Sequence, residues 1–140
     1  MLQNLSAIED VTVIGYAAGI YGEGSMAPIA RRGITATPVW SNFQNKPAFL
    51  IDAGVFPGAS GSPVFLHNQG SYATPSGLTV GSRVFFIGVL SAGITSTVDP
   101  ENRVWPEFGH VIKSDHVWAY LTGIVSRLFY APVGTPPTSA

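Results

Sequence analysis

The residue of this chain best placed to do chemistry is a serine between glycines. Ser60 lies in the segment Gly58-Ala59-Ser60-Gly61-Ser62-Pro63, with apolar residues on both sides. A serine that attacks a carbonyl must be exposed on a tight turn, beside backbone N–H groups that hold the oxyanion. Gly58 and Gly61 permit such a turn because they lack a Cβ, and Pro63 prevents its continuation as a helix. The spacing predicts that Ser60 is a nucleophile. A turn without chemistry is the alternative, since Gly, Ser and Pro are common in turns.

Two other motifs that use serine or glycine do not fit this segment. The α/β-hydrolase elbow is Gly-x-Ser-x-Gly between a strand and a helix, whereas Ser62 and then Pro63 follow here. A phosphate-binding loop needs Gly-Lys-Ser/Thr after its glycines, and this segment has no lysine. The segment around Ser60 is therefore neither an α/β-hydrolase elbow nor a phosphate-binding loop.

The segment resembles the Gly-x-Ser-Gly-Gly/Ser-Pro signature of trypsin-like serine peptidases. A second motif, Phe86-Ile87-Gly88-Val89-Leu90-Ser91-Ala92-Gly93, is similar to the apolar strand of that family that ends in Ser-x-Gly beside the substrate. The resemblance implies that Ser60 is the acylated nucleophile and that the N–H groups of Gly58 and Ser60 form the oxyanion hole. It needs neither a metal nor an organic cofactor.

The resemblance also implies how a peptide substrate is held. Ser91 matches the serine that contacts the triad aspartate, and Ala92 and Gly93 match the edge that pairs with the substrate backbone. Gly54 and Gly109 match positions that line the primary specificity pocket. No acidic residue stands at Gly54, so a small or apolar side chain is expected there rather than Arg or Lys.

The histidine and aspartate of the triad have no obvious counterpart in this chain. In the family both come from a preceding N-terminal barrel, and only ten residues precede the first predicted strand. His67, His110 and His116 are each expected to be structural or solvent-facing rather than the base. The chain thus resembles the nucleophile-bearing half of a serine endopeptidase, nearly inactive alone and completed by a barrel that supplies His and Asp.

Two alternative hypotheses for the function remain open. A non-catalytic module that keeps the barrel and its peptide-binding edge is the first. The second is a carbohydrate-binding or structural β-domain in which the serine turn occurs by chance.

The composition argues against a nucleic-acid partner, because charged residues are 11% of the chain and the net charge is -1.

The composition also bounds the class of protein. Apolar residues make up 46% of 140 residues, with 16 glycines and 11 prolines, which indicates a single all-β domain with many turns. No apolar run is long enough to span a membrane, and no secretory leader stands at the N-terminus. The lack of cysteine excludes disulfides and thiolate metal sites. The compartment is not determined, although the cytoplasm is slightly favoured.

Short apolar runs predict six strands in the order of the C-terminal barrel of the trypsin-like fold, a six-stranded antiparallel Greek-key barrel. The Arg31-Arg32 pair in the second strand is expected to be solvated, and a role on the substrate side is the alternative. A polar stretch with a hairpin tip at residues 75–77 separates the fourth and fifth strands. The six predicted strands are Val11–Tyr16, Pro28–Thr37, Ala48–Asp52, Ser62–Leu66, Arg83–Ile94 and Phe108–Lys113.

A C-terminal helix is predicted after the last strand, with Ser114 and Asp115 as N-cap candidates. Its apolar residues recur at helical spacing, and we expect this stripe to pack on the barrel. The predicted domain covers residues 1–130, and residues 131–140 are expected to be a disordered tail. Without a first barrel, the chain is expected to expose an apolar face and to dimerise or dissolve poorly.

Overall fold

The computed structural model describes residues 2, 5–16, 27–56, 58–74, 76–94 and 108–130. The predicted tail at 131–140 lies outside the described residues, as do most of the two loops expected at 17–27 and 95–106. Pro57 and Pro75 lie outside them as well.

The described chain forms eight strands and one helix. Three strands have the predicted bounds, and the other three barrel strands differ from prediction by one or two residues at an end. The polar stretch after the fourth barrel strand forms a two-stranded hairpin of its own. The elements are β1 (Asp10–Gly15), β2 (Ile29–Thr35), β3 (Ala48–Asp52), β4 (Pro63–Asn68), β5 (Ser71–Thr74), β6 (Gly77–Val80), β7 (Arg83–Ile94), β8 (Phe108–Lys113) and α1 (Ser114–Phe129).

Six of the strands close into an antiparallel barrel in the order β1-β2-β3-β8-β7-β4. β1 pairs with both β2 and β4, which closes the cylinder. β8 pairs on one side with β3 and on the other with β7. The expected six-stranded antiparallel barrel with a C-terminal helix is confirmed in this form.

The barrel interior is filled by β-branched and large apolar side chains. β1 and β4 alternate between buried and partly buried residues, as strands with one face on a core do. β3 differs, because Ala48 to Ile51 are all buried. The N–H groups of Ala36 and Thr37 donate to the carbonyl oxygen of Leu50, which extends the pairing of β3 with β2 beyond the end of β2. The fully buried core includes Val11, Phe49, Ile51, Val64, Leu66, Ile87, Leu90 and Val111.

One end of the barrel, where β4 ends and β7 begins, is closed by a buried ion pair. The guanidinium of Arg83 donates to both carboxylate oxygens of Glu9 at 2.8 Å and to Asn68 Oδ1 at 2.7 Å. Its face lies 4.1 Å from the ring centre of Tyr72. Glu9 also accepts the N–H of Ser6 at 2.8 Å. We call this group the Arg83 network. Its two charged side chains are 11% and 4% exposed, so it satisfies their charges inside the protein.

Helix α1 departs from the prediction in two ways. Its N-cap is Lys113, without a side-chain capping bond, so the expectation for Ser114 and Asp115 is wrong. Lys113 is buried, and its ammonium donates to Asn42 Oδ1 at 2.7 Å, which anchors the start of the helix in the barrel. Only Ser114 of the helix is buried.

The apolar stripe of α1 does not pack on the barrel as expected. From residue 118 to residue 130 every side chain is exposed. Large apolar side chains along it are exposed, among them Trp118 at 63%, Leu121 at 46% and Leu128 at 72%. Within the described part of the chain, the helix therefore presents an apolar surface that no other element covers.

Candidate functional site

The serine turn, residues 58–62, is held by backbone hydrogen bonds at the start of β4. The N–H of Ala59 donates to the carbonyl oxygen of Phe56 (3.1 Å), and that of Ser62 donates to Ala59 (3.1 Å). Two further bonds tie the turn to β7. The N–H of Gly61 donates to the carbonyl oxygen of Leu90 (2.7 Å), and the N–H of Leu90 donates to Ser62 (2.9 Å). The turn is therefore fixed beside the residue that precedes Ser91.

The backbone of the turn needs its two glycines. Gly58 has φ of 87° and Gly61 has φ of 90°, conformations that side chains with a Cβ rarely adopt. The sequence expectation of a glycine-permitted turn is confirmed in this respect. A Cβ added to Gly61 would meet no described atom within 4 Å, so the constraint there is conformational rather than steric.

Three polar groups of the turn have no partner among the described residues. The N–H groups of Gly58 and Ser60 donate to no described acceptor, and neither does the Ser60 hydroxyl. Ser60 is exposed. Both residues line a groove of about 460 Å³, together with Gly15, Tyr16 and Pro28. The turn thus leaves one hydroxyl and two backbone donors available to a ligand, which is the set that acyl transfer requires.

The end of β1 supports the turn through a close contact that sequence reasoning missed. A Cβ on Gly15 would lie 1.8 Å from Ser62 Oγ and 2.9 Å from Ser62 Cβ. Ser62 is buried, so it has little room to move away. The bare α-carbon of Gly15 therefore lets β1 and the turn approach closely. The glycine at the end of the first apolar run was the available signal, but its partner is 47 positions away.

Ser91 lies in a β-bulge of β7 next to the turn. Leu90 pairs with Val111 and Ala92 pairs with His110, so Ser91 is the extra residue between them. Its Oγ lies 2.7 Å from Nδ1 of His110 and 3.1 Å from the carbonyl oxygen of the same residue. Ser91 is thus bonded to a histidine of β8.

The substrate edge expected at Ala92 and Gly93 has one side available. These residues pair with His110 and Gly109 of β8 on one side. On the other side β4 pairs with β7 only as far as Val89, so residues 91–94 have no partner strand within the described ranges. The structure brings this edge next to the serine turn through the two Leu90 bonds.

None of the three histidines is bonded to Ser60. His67 lies 3.1 Å from Thr12 Oγ1 and 3.0 Å from Gln69 on the barrel wall, whereas His116 is exposed in the first turn of α1. His110 is occupied by Ser91. Burial, together with the positive charge of Lys46, lowers the pKa of His110 below its ordinary value. Both influences favour the neutral form of its imidazole.

Gly54 lines an apolar pocket behind the serine turn together with Arg31, which is partly buried, so the expectation of a solvated side chain is wrong for Arg31 and holds for the exposed Arg32. Gly54 has φ of 58°, and a Cβ on it would lie 2.6 Å from Nη2 of Arg31. The pocket has a volume of about 50 Å³ and also touches Ala59, the residue before Ser60. Gly109 is not part of it. A Cβ there would lie 2.7 to 2.8 Å from core side chains, so Gly109 faces the packed interior.

Other site chemistry is not assembled in the described part of the chain. Within residues 2, 5–16, 27–56, 58–74, 76–94 and 108–130, no three His, Cys, Asp or Glu side chains come together as metal ligands. Over the same ranges, no helix is long and apolar enough to span a membrane.

Comparison of the chain with known family models, curated proteins and solved structures gives no match. The functional assignment therefore depends on the geometry of the turn and on its surroundings.

Proposed function

We propose that this chain is the nucleophile-bearing half of a trypsin-like serine endopeptidase, and that its barrel is the Greek-key barrel of that fold. The observation that carries the proposal is the serine turn. It presents an exposed hydroxyl and the N–H groups of Gly58 and Ser60, which have no acceptor among the described residues, in one groove. The same turn is bonded at Leu90 to the strand that holds the Ser-x-Gly motif.

The proposed reaction is acyl transfer through Ser60. Its Oγ attacks the carbonyl carbon of the scissile peptide bond while a base takes the hydroxyl proton. The two N–H groups stabilise the negative oxygen of the tetrahedral intermediate. The base then protonates the leaving amine, and an acyl-enzyme forms on Ser60. Water, deprotonated by the same base, releases the carboxylic acid and restores the hydroxyl.

The substrate backbone is proposed to bind as an added strand. Residues 91–94 have an edge without a partner strand among the described residues, and that edge lies next to the turn. An extended peptide that pairs with Ala92 and Gly93 gains main-chain hydrogen bonds independent of its sequence. Side-chain pockets then supply the selectivity.

The base and its orienting carboxylate are proposed to come from an N-terminal barrel. No described histidine contacts Ser60, and the one with a lowered pKa is bonded to Ser91. The apolar side chains of α1 that no described element covers support a further docked domain, since contiguous exposed apolar residues mark interaction sites. The chain by itself is therefore expected to react slowly.

A serine-directed probe tests this proposal. The DNA upstream of the Met1 codon is read first, the complete polypeptide is expressed, and it is treated with a biotinylated fluorophosphonate. We expect one adduct, on Ser60, located by mass spectrometry of the digested protein. The 140-residue chain alone should label about 10⁴-fold more slowly, because a triad without its base loses at least that much rate.

Two variants control the labelling experiment. Ser60→Ala should abolish the adduct. Ser76→Ala should keep it, because Ser76 is exposed in the β5–β6 turn, apart from the groove. A folded full-length protein that carries no adduct on Ser60 would overturn the proposed hydrolysis.

A non-catalytic peptide-binding module is the second candidate. It is favoured by the combination of a free edge at residues 91–94 and no base beside Ser60 among the described residues. The two candidates differ in one result. A full-length polypeptide that binds extended peptides but does not label at Ser60 supports the module.

A further inference from the structure

Arg31 is held at the pocket behind the serine turn by contacts that fix its orientation. Its Nε donates to the carbonyl oxygen of Ala53 at 3.1 Å, and its Cζ lies 4.2 Å from the centre of the Phe56 ring. Nη2 sits beside the bare α-carbon of Gly54. All three contacts are to the segment that leads into the turn. The guanidinium is therefore positioned relative to Ser60 rather than free in solvent.

The charge of this guanidinium has no internal counterpart. Among the described residues, no carboxylate lies within ion-pair distance of Arg31, and its Nη atoms have no hydrogen-bond acceptor. Arg31 is also partly buried. A guanidinium offers a planar fork of donors that matches a carboxylate. An unpaired and fixed fork at a pocket is the arrangement expected of a carboxylate site.

The pocket restricts the size and character of what reaches Arg31. Most of its wall is apolar, and Val13, Ile29, Val55 and Leu90 are among the residues that line it. Its volume of about 50 Å³ is a third of the roughly 150 Å³ that takes a benzene molecule. Such a space fits two or three methylene groups and excludes an aromatic ring.

We propose that this pocket receives an acidic side chain of a peptide ligand, glutamate before aspartate, with Arg31 binding its carboxylate. The inference adds a substrate preference to the proposed function. It rests on that function where the bound peptide is taken to be a substrate. It replaces the small or apolar preference that the bare position at Gly54 suggested. Position 54 is a glycine rather than an acidic residue, and the guanidinium of Arg31, from β2, lies beside it.

The first test compares two peptides that differ only in charge. The Ser60→Ala chain is titrated with acetyl-Ala-Ala-Glu-amide and with acetyl-Ala-Ala-Gln-amide, and amide chemical shifts are followed by NMR. We expect the glutamate peptide to bind about tenfold more tightly, a moderate value for a charge-assisted pair. The largest shifts should fall on Ala53, Gly54 and Phe56. Equal binding of the two peptides, or binding of neither, overturns the inference.

A matched pair of arginine variants assigns the effect. Arg31→Gln should remove the preference for glutamate. Arg32→Gln should keep it, because Arg32 is the next residue, is exposed, and faces Asp10 on the outer wall. Loss of the preference in both variants would indicate a diffuse charge effect and would overturn the assignment to Arg31.

A second pair fills the pocket from inside and does not depend on removing Arg31. Gly54→Asp places a carboxylate beside Nη2, whereas Gly54→Asn places a neutral side chain of the same shape there. Both residues tolerate the positive φ of this position better than other side chains do. We expect Asp to abolish the glutamate preference and Asn to weaken binding of both peptides equally. A retained preference in Gly54→Asp counts against the pocket.

These outcomes are separable from those of the proposed function. Fluorophosphonate labelling of Ser60 without a charge preference leaves the peptidase and removes the acidic pocket. A charge preference that depends on Arg31, without labelling, leaves the pocket and removes the hydrolysis.

Discussion

The two ends of the barrel each hold a partly buried arginine, and the two side chains differ in what satisfies them. Arg83 has a carboxylate, an amide oxygen and an aromatic face around it. Arg31 has a carbonyl oxygen and an aromatic face, and its outer nitrogens have no acceptor among the described residues. The serine turn lies at the Arg31 end.

The comparison separates structural polar groups from available ones. In the Arg83 network, polar groups that leave water are paired within the protein, as buried charges generally must be. At the turn end, the hydroxyl of Ser60, two backbone N–H groups and the Arg31 fork stay unpaired among the described residues. A fold that satisfies its charges at one end and not at the other points to the second end as the binding face.

The largest expected effect comes from making the same substitution at both ends. Arg83→Ala leaves the Glu9 carboxylate buried and unpaired, so the free energy of unfolding should fall by about 3–5 kcal/mol. Arg31→Ala removes one hydrogen bond and a cation–π contact, and the fall should be about 1 kcal/mol. Urea unfolding of the two variants measures the difference. Similar losses at both sites would show that Arg31 is as structural as Arg83.

A smaller effect is expected from Gly15→Ala, which tests whether the turn end is rigid despite its unpaired groups. The new methyl group would overlap Ser62, which is buried, so unfolding should become easier by about 1–3 kcal/mol. Gly123→Ala is the matched control, because nothing lies within 4 Å of its Cβ position in α1. That variant should gain up to about 1 kcal/mol. A neutral Gly15→Ala would mean that the turn shifts freely.

The smallest effect is a pH dependence carried by the turn end. The pKa of His110 is lowered from 6.5 by burial and by Lys46, so the unfolded chain binds this proton more readily than the folded one. The stability of the fold should therefore decline as the pH falls below about 6.5. His110→Gln should show a smaller decline between pH 7.5 and 5.5, measured by thermal unfolding. An unchanged profile in the variant would exclude His110 as the source.

Sequence patterns predict the strands well and the side-chain environments poorly. The bounds of β3, β7 and β8 follow from β-branched and aromatic runs that end in turn residues. Such runs depend on neighbouring residues alone. The apolar residues of α1 also have helical spacing, but this spacing does not specify which part of the protein covers them. The prediction that they pack on the barrel is wrong.

The candidate site divides in the same way. The turn that holds Ser60 and its glycines could be located because its conformation depends on neighbouring residues in the sequence. That Ser91 lies near this turn was expected from the family resemblance. Arg31 and Gly54 are 23 positions apart, and only the register of β2 in the closed barrel brings them together. The hydrogen bond between Ser91 and His110 likewise depends on a β-bulge that no local sequence pattern predicts.

The position of β8 between β3 and β7 has a consequence for how the barrel is made. Translation reaches this strand after the other seven described strands, yet β8 pairs with β3, about 60 residues earlier in the chain. Until β8 emerges from the ribosome, β3 and β7 each carry an edge without a partner, and such edges invite association with other chains. Contacts of this sequence separation also form slowly. The serine turn is bonded to β7 at Leu90, so its surroundings are complete only once β8 has paired with β7.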